Sequence, residues 1–486
     1  MEKNKSITRN VIFKVLLSTF NILVPLIIGP YAYRVIGDNN MGMINHADAI
    51  YNYFYIFATF GIYQYGLREM SRIRNDKEKL KTVFTSLFVI GVIANIVVLS
   101  IFIMFTNAKY GGTVKYPVLM LYSINIFANV FYIEWANEAL ENYDFIAIKT
   151  IIVRIIYLIC LFAFVRTEKD YIIYTVIINA YTLLNYFVSF IYIKKRIGFS
   201  FKNLNLSIHV KYLLMSLIMG NANMLYIQLD RVMLGDYVSD RSVAYYTLSS
   251  YITSMLNTLI LSVVYVTIPR LANIVAKDDE DGYHNLLNKV CENLFAFIFP
   301  AAIGIFVTAR EIVLIYGGAK YIDTVPVLKG FTFFMITSAF ESVFTNQILY
   351  VKRKEKRLVL FILGAGVMNL IFNITLVKLG IFTAVTAIYT TALANFILIS
   401  MEFIYAVFVL KVKINLFTME KLKYLLYSII FIPITLGIRM VTNRVVPVFL
   451  LAVTINVLYY VGVLYLTKDK VLLAFINKFF KKASKA

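Results

Sequence analysis

Charge is scarce in this chain. Only 15% of its 486 residues are Asp, Glu, Lys or Arg, and the acidic ones number just 27. A soluble domain carries about a quarter of its residues as charges, so a water-facing globular body is excluded as the bulk of the molecule. Cysteine is nearly missing: Cys160 and Cys291 sit in or beside apolar stretches, far from any Cys or His at metal-ligand spacing. That excludes a disulfide scaffold and a structural metal site, and both read as small core residues. The three histidines, His46, His209 and His284, are scattered without partners at catalytic or metal spacing. No catalytic residue, metal site or cofactor is therefore expected. A Walker motif and a clear proton-relay motif are both missing, so ATP use by this chain is not expected, and a coupling ion, H+ or Na+, stays open. The first hydrophobic stretch, which contains Pro25 and Pro30, has no short apolar region leading to a small-residue cleavage site. It reads as a retained helix and not as a leader.

What the chain has in excess is apolar length. Hydrophobic residues make up 60% of it, and the mean hydropathy is +0.75. A bilayer-spanning helix needs roughly 20 mostly apolar residues. About fourteen such stretches follow one another, at 10–36, 44–66, 82–106, 117–137, 150–165, 171–193, 213–235, 242–268, 286–309, 325–351, 358–377, 382–410, 424–440 and 447–467. The expected fold is an all-α polytopic membrane protein with no room for a soluble catalytic domain.

The net charge of +21 would suggest nucleic acid in a soluble protein, but here the basic residues follow topology. If the N-terminus is cytoplasmic, 33 of the 48 Lys and Arg fall in the inner connectors and the two termini, and 11 lie in or at the edge of the outer ones. Lys and Arg resist translocation, so both ends are expected in the cytoplasm. Runs such as Lys352-Arg353-Lys354-Glu355-Lys356-Arg357 are topogenic, with attraction to anionic membrane lipids as a second contribution. No nucleic acid partner is expected.

One internal similarity stands out. Tyr33-Arg34-Val35-Ile36-Gly37-Asp38 closes the first stretch and Asp230-Arg231-Val232-Met233-Leu234-Gly235-Asp236 closes the seventh, each followed by an aromatic-rich segment. The chain then reads as two pseudo-symmetric six-helix lobes, residues 1–193 and 213–410, joined by a cytoplasmic linker at 194–212. Residues 411–486 add two helices and a basic tail. A parallel repeat of this kind places a substrate cavity between the lobes.

With fourteen spans, two lobes and small extramembrane parts, the sequence resembles the polysaccharide-transport, Wzx-like branch of the multidrug/oligosaccharidyl-lipid/polysaccharide exporter superfamily. Arg34-Val35-Ile36-Gly37 leading to Asp48, Phe57 through Arg68, and Asp230-Arg231 with Tyr245-Tyr246-Thr247 carry that resemblance. The segments Glu134 to Tyr143, Asn221 to Leu225 and Tyr316 to Tyr321 look most like teichoic-acid flippases of the TacF type. The resemblance implies movement of a lipid-linked saccharide from the inner to the outer leaflet of a bacterial plasma membrane, with glycan-assembly enzymes as further candidate partners. Two rivals remain open: a cation-coupled drug antiporter of the same superfamily, and a membrane polysaccharide polymerase. The latter would call for a larger outer loop than the longest one here, about 15 residues.

A polyprenyl-diphosphate saccharide needs cations for its head and hydrogen-bonding or aromatic faces for its sugars. Arg34, Arg154, Arg231 and Lys329, with Asn21 and Asn221 as neutral partners, are the candidates to contact it. Charges inside spans are costly and should face a cavity or one another. Asp48, Glu134, Asp230 and Glu341 are thus candidates for ion coupling or gating, with Glu402 also deep in its span. Each has a plainer alternative. Arg34 and Arg231 pair with Asp48 and Asp230 as outer-mouth locks in one reading, Arg154 meets lipid heads, and Glu134, Glu138 and Glu141 form an acidic stripe that locks onto Lys149 and Arg154. Some tyrosines should line a sugar path, but the sequence does not say which.

Overall fold

The computed structural model describes residues 20, 24–202, 204–416, 418–474 and 476, leaving aside the side chains of 218–227 and 263. Among the described residues there is no β-strand. Backbone contacts divide the chain into two compact units, Met1–Ala244 and Tyr245–Ala486.

The first unit contains α1 (Val24–Ile36), α2 (Asp38–Thr59), α3 (Ile62–Ile73), α4 (Lys77–Tyr110), α5 (Tyr116–Asn129), α6 (Glu134–Ala139), α7 (Tyr143–Phe164), α8 (Tyr171–Ile197) and α9 (Leu206–Tyr237). Each interruption has a local cause. Gly37, at φ 78°, separates α1 from α2, and Phe60 and Gly61, at φ 47° and 70°, separate α2 from α3. Gly61 is needed twice over, because a Cβ there would also stand 2.5 Å from the Leu213 carbonyl oxygen. Breaking a helix within an apolar layer strands backbone carbonyls, and polar side chains must answer for them. The Asn95 amide accordingly donates to the Ala58 carbonyl at 3.1 Å, and Asn129 donates to the Asn95 side-chain oxygen at 3.1 Å. Beneath this break Phe84, Leu87, Met70 and Trp135 form a buried core shared by α3, α4 and α6. The expected fourth span is itself interrupted at Val130–Ile133, where the Trp135 indole donates to the Tyr132 carbonyl at 3.2 Å.

The second unit continues with α10 (Asp240–Ala276, whose first residues belong to the first unit), α11 (Glu280–Tyr316), α12 (Thr324–Ser342), α13 (Glu355–Lys378), α14 (Ala384–Ile404), α15 (Met419–Ile429), α16 (Phe431–Val441) and α17 (Val445–Leu466). α12 and α14 each run on into a π-helical turn, Val343–Tyr350 and Tyr405–Val409. α12 packs between α11 and α14, while α15, α16 and α17 pack on α11. The terminal helices are pinned by the Tyr460 hydroxyl, which donates to the Ala296 carbonyl at 2.8 Å, and by Asp469, which accepts from Lys423 and from Tyr424.

Eleven helical segments among the described residues are long and apolar enough to cross a membrane, and they match eleven of the fourteen expected stretches. The other three expected positions are helical too. α1 is described only from Val24, α2 carries Asp38, His46 and Asp48 within 22 residues, and α9 carries Lys211, Asp230, Arg231 and Asp236. Large apolar side chains such as Ile96, Met104, Val367 and Leu458 stand more than half exposed on α4, α13 and α17. A bilayer covers such surfaces at no desolvation cost. The chain is an all-α, multi-pass membrane protein.

Candidate functional site

In the first unit the sequence candidates meet where α2 faces α9. Arg231, 7% exposed, pairs with Asp48 of α2 at 2.9 Å, donates to the Asn45 carbonyl at 2.7 Å and to Gln228 at 2.8 Å. Asn52 supports Asp48 from the next turn, at 3.1 Å. The guanidinium is thus held on fixed acceptors by two helices. Its neighbour Asp230 is fully buried, and Arg34 is exposed at the end of α1.

One turn further along α9 lies a cluster that the sequence did not announce. His46, 1% exposed, places Nε2 3.4 Å from Asp236, while Lys115 reaches Asp240 at 2.8 Å and the Gly235 carbonyl at 2.7 Å. Lys109 and the Tyr110 hydroxyl both donate to Asp236, at 2.6 and 2.8 Å. Two glycines allow this approach. A Cβ on Gly42 would stand 1.8 Å from the Asp240 carbonyl oxygen, and one on Gly235 would stand 2.4 Å from the His46 ring. His46 is isolated along the chain and gains its partners only from packing, which is why spacing alone missed it. The similarity between the two repeated segments was the available signal: Gly37 breaks a helix, whereas Gly235 stays inside one and serves close contact.

At the other end of α2, Glu134 opens α6. It accepts from Lys149 at 3.0 Å and from Ser189 at 2.7 Å, and Lys149 in turn donates to Ser189 at 2.8 Å. The expected acidic stripe does not form, because α6 ends at Ala139 and Glu141 takes φ 56°. Glu138 instead accepts from the Tyr63 hydroxyl at 3.0 Å, and Glu141 pairs with Arg74 at 2.6 Å. The Glu134–Lys149 lock is present. Arg154 lies over aromatic faces, with its guanidinium carbon 5.9 Å from the Tyr181 ring centre and 6.0 Å from that of Phe20. Around these groups tyrosines approach one another in pairs: Tyr51 with Tyr55 at 5.4 Å and with Tyr122 at 5.5 Å, Tyr132 with Tyr186 at 4.8 Å, and Tyr157 with Tyr181 at 5.3 Å. Asn21 and the side chain of Asn221 lie outside the described residues.

In the second unit Glu341 and Glu402 share one hydroxyl. Thr345 stands 3.0 Å from Glu341 and 2.8 Å from Glu402. A threonine has one hydrogen to give, so both contacts are hydrogen bonds only when one carboxyl itself carries a proton. Glu402 is fully buried, and neither carboxylate has a Lys or Arg partner among the described residues. Lys329 is remote from this pair in the sequence of α12 and stands 5.0 Å over the Phe306 ring. Among the described residues no group of three or more His, Cys, Asp or Glu is placed to hold a metal.

The profile of a family described as "Polysaccharide biosynthesis protein" matches residues 7–275. The putative O-antigen transporter of Escherichia coli K12 is 22% identical over 409 residues, covering 81% of this chain and 96% of the transporter. A solved structure titled "Lipid II flippase MurJ, inward closed conformation" superposes with a TM-score of 0.73 at 16% identity, covering 94% of this chain and 99% of that one. At that identity the likeness establishes the fold.

Proposed function

Because the chain belongs to the polysaccharide biosynthesis protein family, we propose that it is a flippase that moves a lipid-linked saccharide across a bacterial plasma membrane. Its relatives by sequence and by fold are a transporter and a flippase and not enzymes, which supports transport over polymerisation. In this reading the cargo is a polyprenyl-diphosphate-linked teichoic-acid chain or polysaccharide repeat unit, carried from the inner to the outer leaflet by alternating access. Two lobes, 1–193 and 213–410, alternate about a central cavity, both termini are cytoplasmic, and glycan-assembly enzymes deliver the cargo.

The observation that carries the reading is the guanidinium of Arg231, held by Asp48 within a membrane-embedded unit that also brings its tyrosines together in tilted pairs. A diphosphate offers what Asp48 offers, an anionic acceptor for a planar fork. Exchange of Asp48 for the lipid head would release α2 from α9 and leave no bare charge behind on Arg231. Arg154 stands by to receive the second phosphate, and Arg34 serves the exposed end. Tyrosine faces accept sugar rings through their C–H surfaces, while their hydroxyls and Asn21 and Asn221 take the polar edges.

Energy enters through Glu341. The Glu341–Thr345–Glu402 arrangement holds one proton between two carboxyls and is the candidate coupling site, with Asp48, Asp230 and Glu134 as gating groups. The drug-antiporter reading is less favoured, because Glu134 is already compensated by Lys149 and Asp48 by Arg231. Depletion in the native host tests the choice: lipid-linked glycan should accumulate in the inner leaflet, while tolerance of cationic drugs stays unchanged. Normal glycan display with raised dye accumulation would favour the antiporter.

A further inference from the structure

Lys329, one of the cations the sequence offers to the cargo, lines a cavity of the second unit. α11, α12 and α16 enclose about 270 Å³ between Phe306, Arg310, Lys329, Ile432, Leu436 and Arg439. A water molecule's share of its liquid is roughly 30 Å³, so a phosphate group with part of a glycerol backbone fits the space. Three cations and one carboxylate meet here. Glu311, 1% exposed, binds Arg439 through both oxygens, at 3.0 and 2.7 Å, and Arg439 also donates to the Val307 carbonyl at 2.7 Å. That guanidinium is fixed and neutralised. Arg310 and Lys329 have no acidic partner among the described residues. The contact of Lys329 with Phe306 orients its ammonium without cancelling its charge. The cavity therefore holds two uncompensated positive charges beside one anchored ion pair.

We infer that this cavity binds the phosphate of an anionic phospholipid in the outer leaflet. Its apolar wall argues for a lipid over a free anion. Ile432 and Leu436, four residues apart on one face of α16, are 39% and 50% exposed and form a ramp from the charged floor toward the bilayer. A soluble anion would gain nothing from that ramp, whereas an acyl chain lies along it. A phosphodiester bridging Arg310 and Lys329 also ties α11 to α12, beside the Arg439–Glu311 pair that holds α16 on α11. The leaflet assignment rests on the orientation proposed above. The binding itself does not rest on transport.

The test uses the full chain purified in mild detergent, with lipid retention read by native mass spectrometry and melting read by intrinsic fluorescence. Probes are phosphatidylglycerol, phosphatidylethanolamine, inorganic phosphate and a short polyprenyl diphosphate. Phosphatidylglycerol should be retained and raise the melting temperature, phosphatidylethanolamine should do neither, and Arg310→Gln/Lys329→Gln should weaken retention at least tenfold, as loss of two charge-assisted contacts requires. Lys329→Arg should keep most of the binding. If the double variant fails to fold, the single Lys329→Gln carries the same readout. Equal retention by wild type and variant, or equal retention of the two phospholipids, overturns the proposal. Stabilisation by inorganic phosphate as strong as that by phosphatidylglycerol would make this a simple anion site, and displacement by far lower concentrations of polyprenyl diphosphate would make it a cargo site; either result overturns it. None of these outcomes alters the flippase reading, which is tested by movement and not by retention.

Discussion

At the scale of single residues, the account depends on which buried charges are compensated and which are exchangeable. Lys149, 6% exposed, has Glu134 as its acidic partner. Glu134→Gln should therefore destabilise the protein by about 3–5 kcal/mol, the usual cost of leaving one half of a buried pair. Adding Lys149→Met should recover most of the melting temperature, and transport should return with it if the pair is only a lock. A folded but inactive double variant would make Glu134 part of the coupling machinery. Arg231→Ala and Arg154→Ala should each abolish flipping, with protein abundance nearly unchanged. Lys substitutions should rescue partly, since the charge survives and the planar fork is lost. Normal flipping by both Ala variants would remove the reading in which these two guanidiniums hold the diphosphate. Glu402→Gln replaces the shared proton with a permanent donor toward Thr345. The variant should fold, and transport should lose its response to an imposed proton gradient; an unchanged response would exclude this pair from coupling.

At the scale of elements, close packing in the first unit joins the start of α2 to the end of α9 and the start of α10. Gly42→Ala and Gly235→Ala each place a methyl group inside an occupied contact, and overpacking of this kind costs about 1–3 kcal/mol. Both variants should loosen the start of α2 from the end of α9 and the start of α10, seen as faster hydrogen exchange in residues 38–48 and 228–241, while the α15–α17 segment of the second unit stays unchanged. Exchange that rises evenly over the whole chain would mean general destabilisation instead. Much of this level was legible beforehand. Apolar length gave the helices. What the sequence hid were the interruptions: the break at Val130–Ile133 carries no Gly or Pro and is fixed by Trp135 and Tyr132, partners known only after folding. His46 was hidden for the same reason, since its acidic neighbours arrive from α9 and α10 almost 200 residues later. The pairing of Arg231 with Asp48 was within reach, because a charge inside an apolar helix must find an opposite one, but the sequence left the choice between Asp48 and Asp230 open.

At the scale of the whole molecule, the fold and the family stand on independent grounds, the helices on apolar length and the family on residues 7–275. The orientation is checked by a cysteine at position 353, which should react with a membrane-impermeant reagent only from the cytoplasmic side; labelling only from outside would invert the topology. The central claim is movement of a lipid-linked saccharide, and leaflet-resolved transport in proteoliposomes tests it most directly. Wild-type protein should carry a polyprenyl-diphosphate saccharide from one leaflet to the other, measured by its accessibility to an external glycan-cleaving enzyme, and Arg231→Ala protein should leave it in place. Equal accessibility with wild-type, variant and protein-free vesicles would contradict the account.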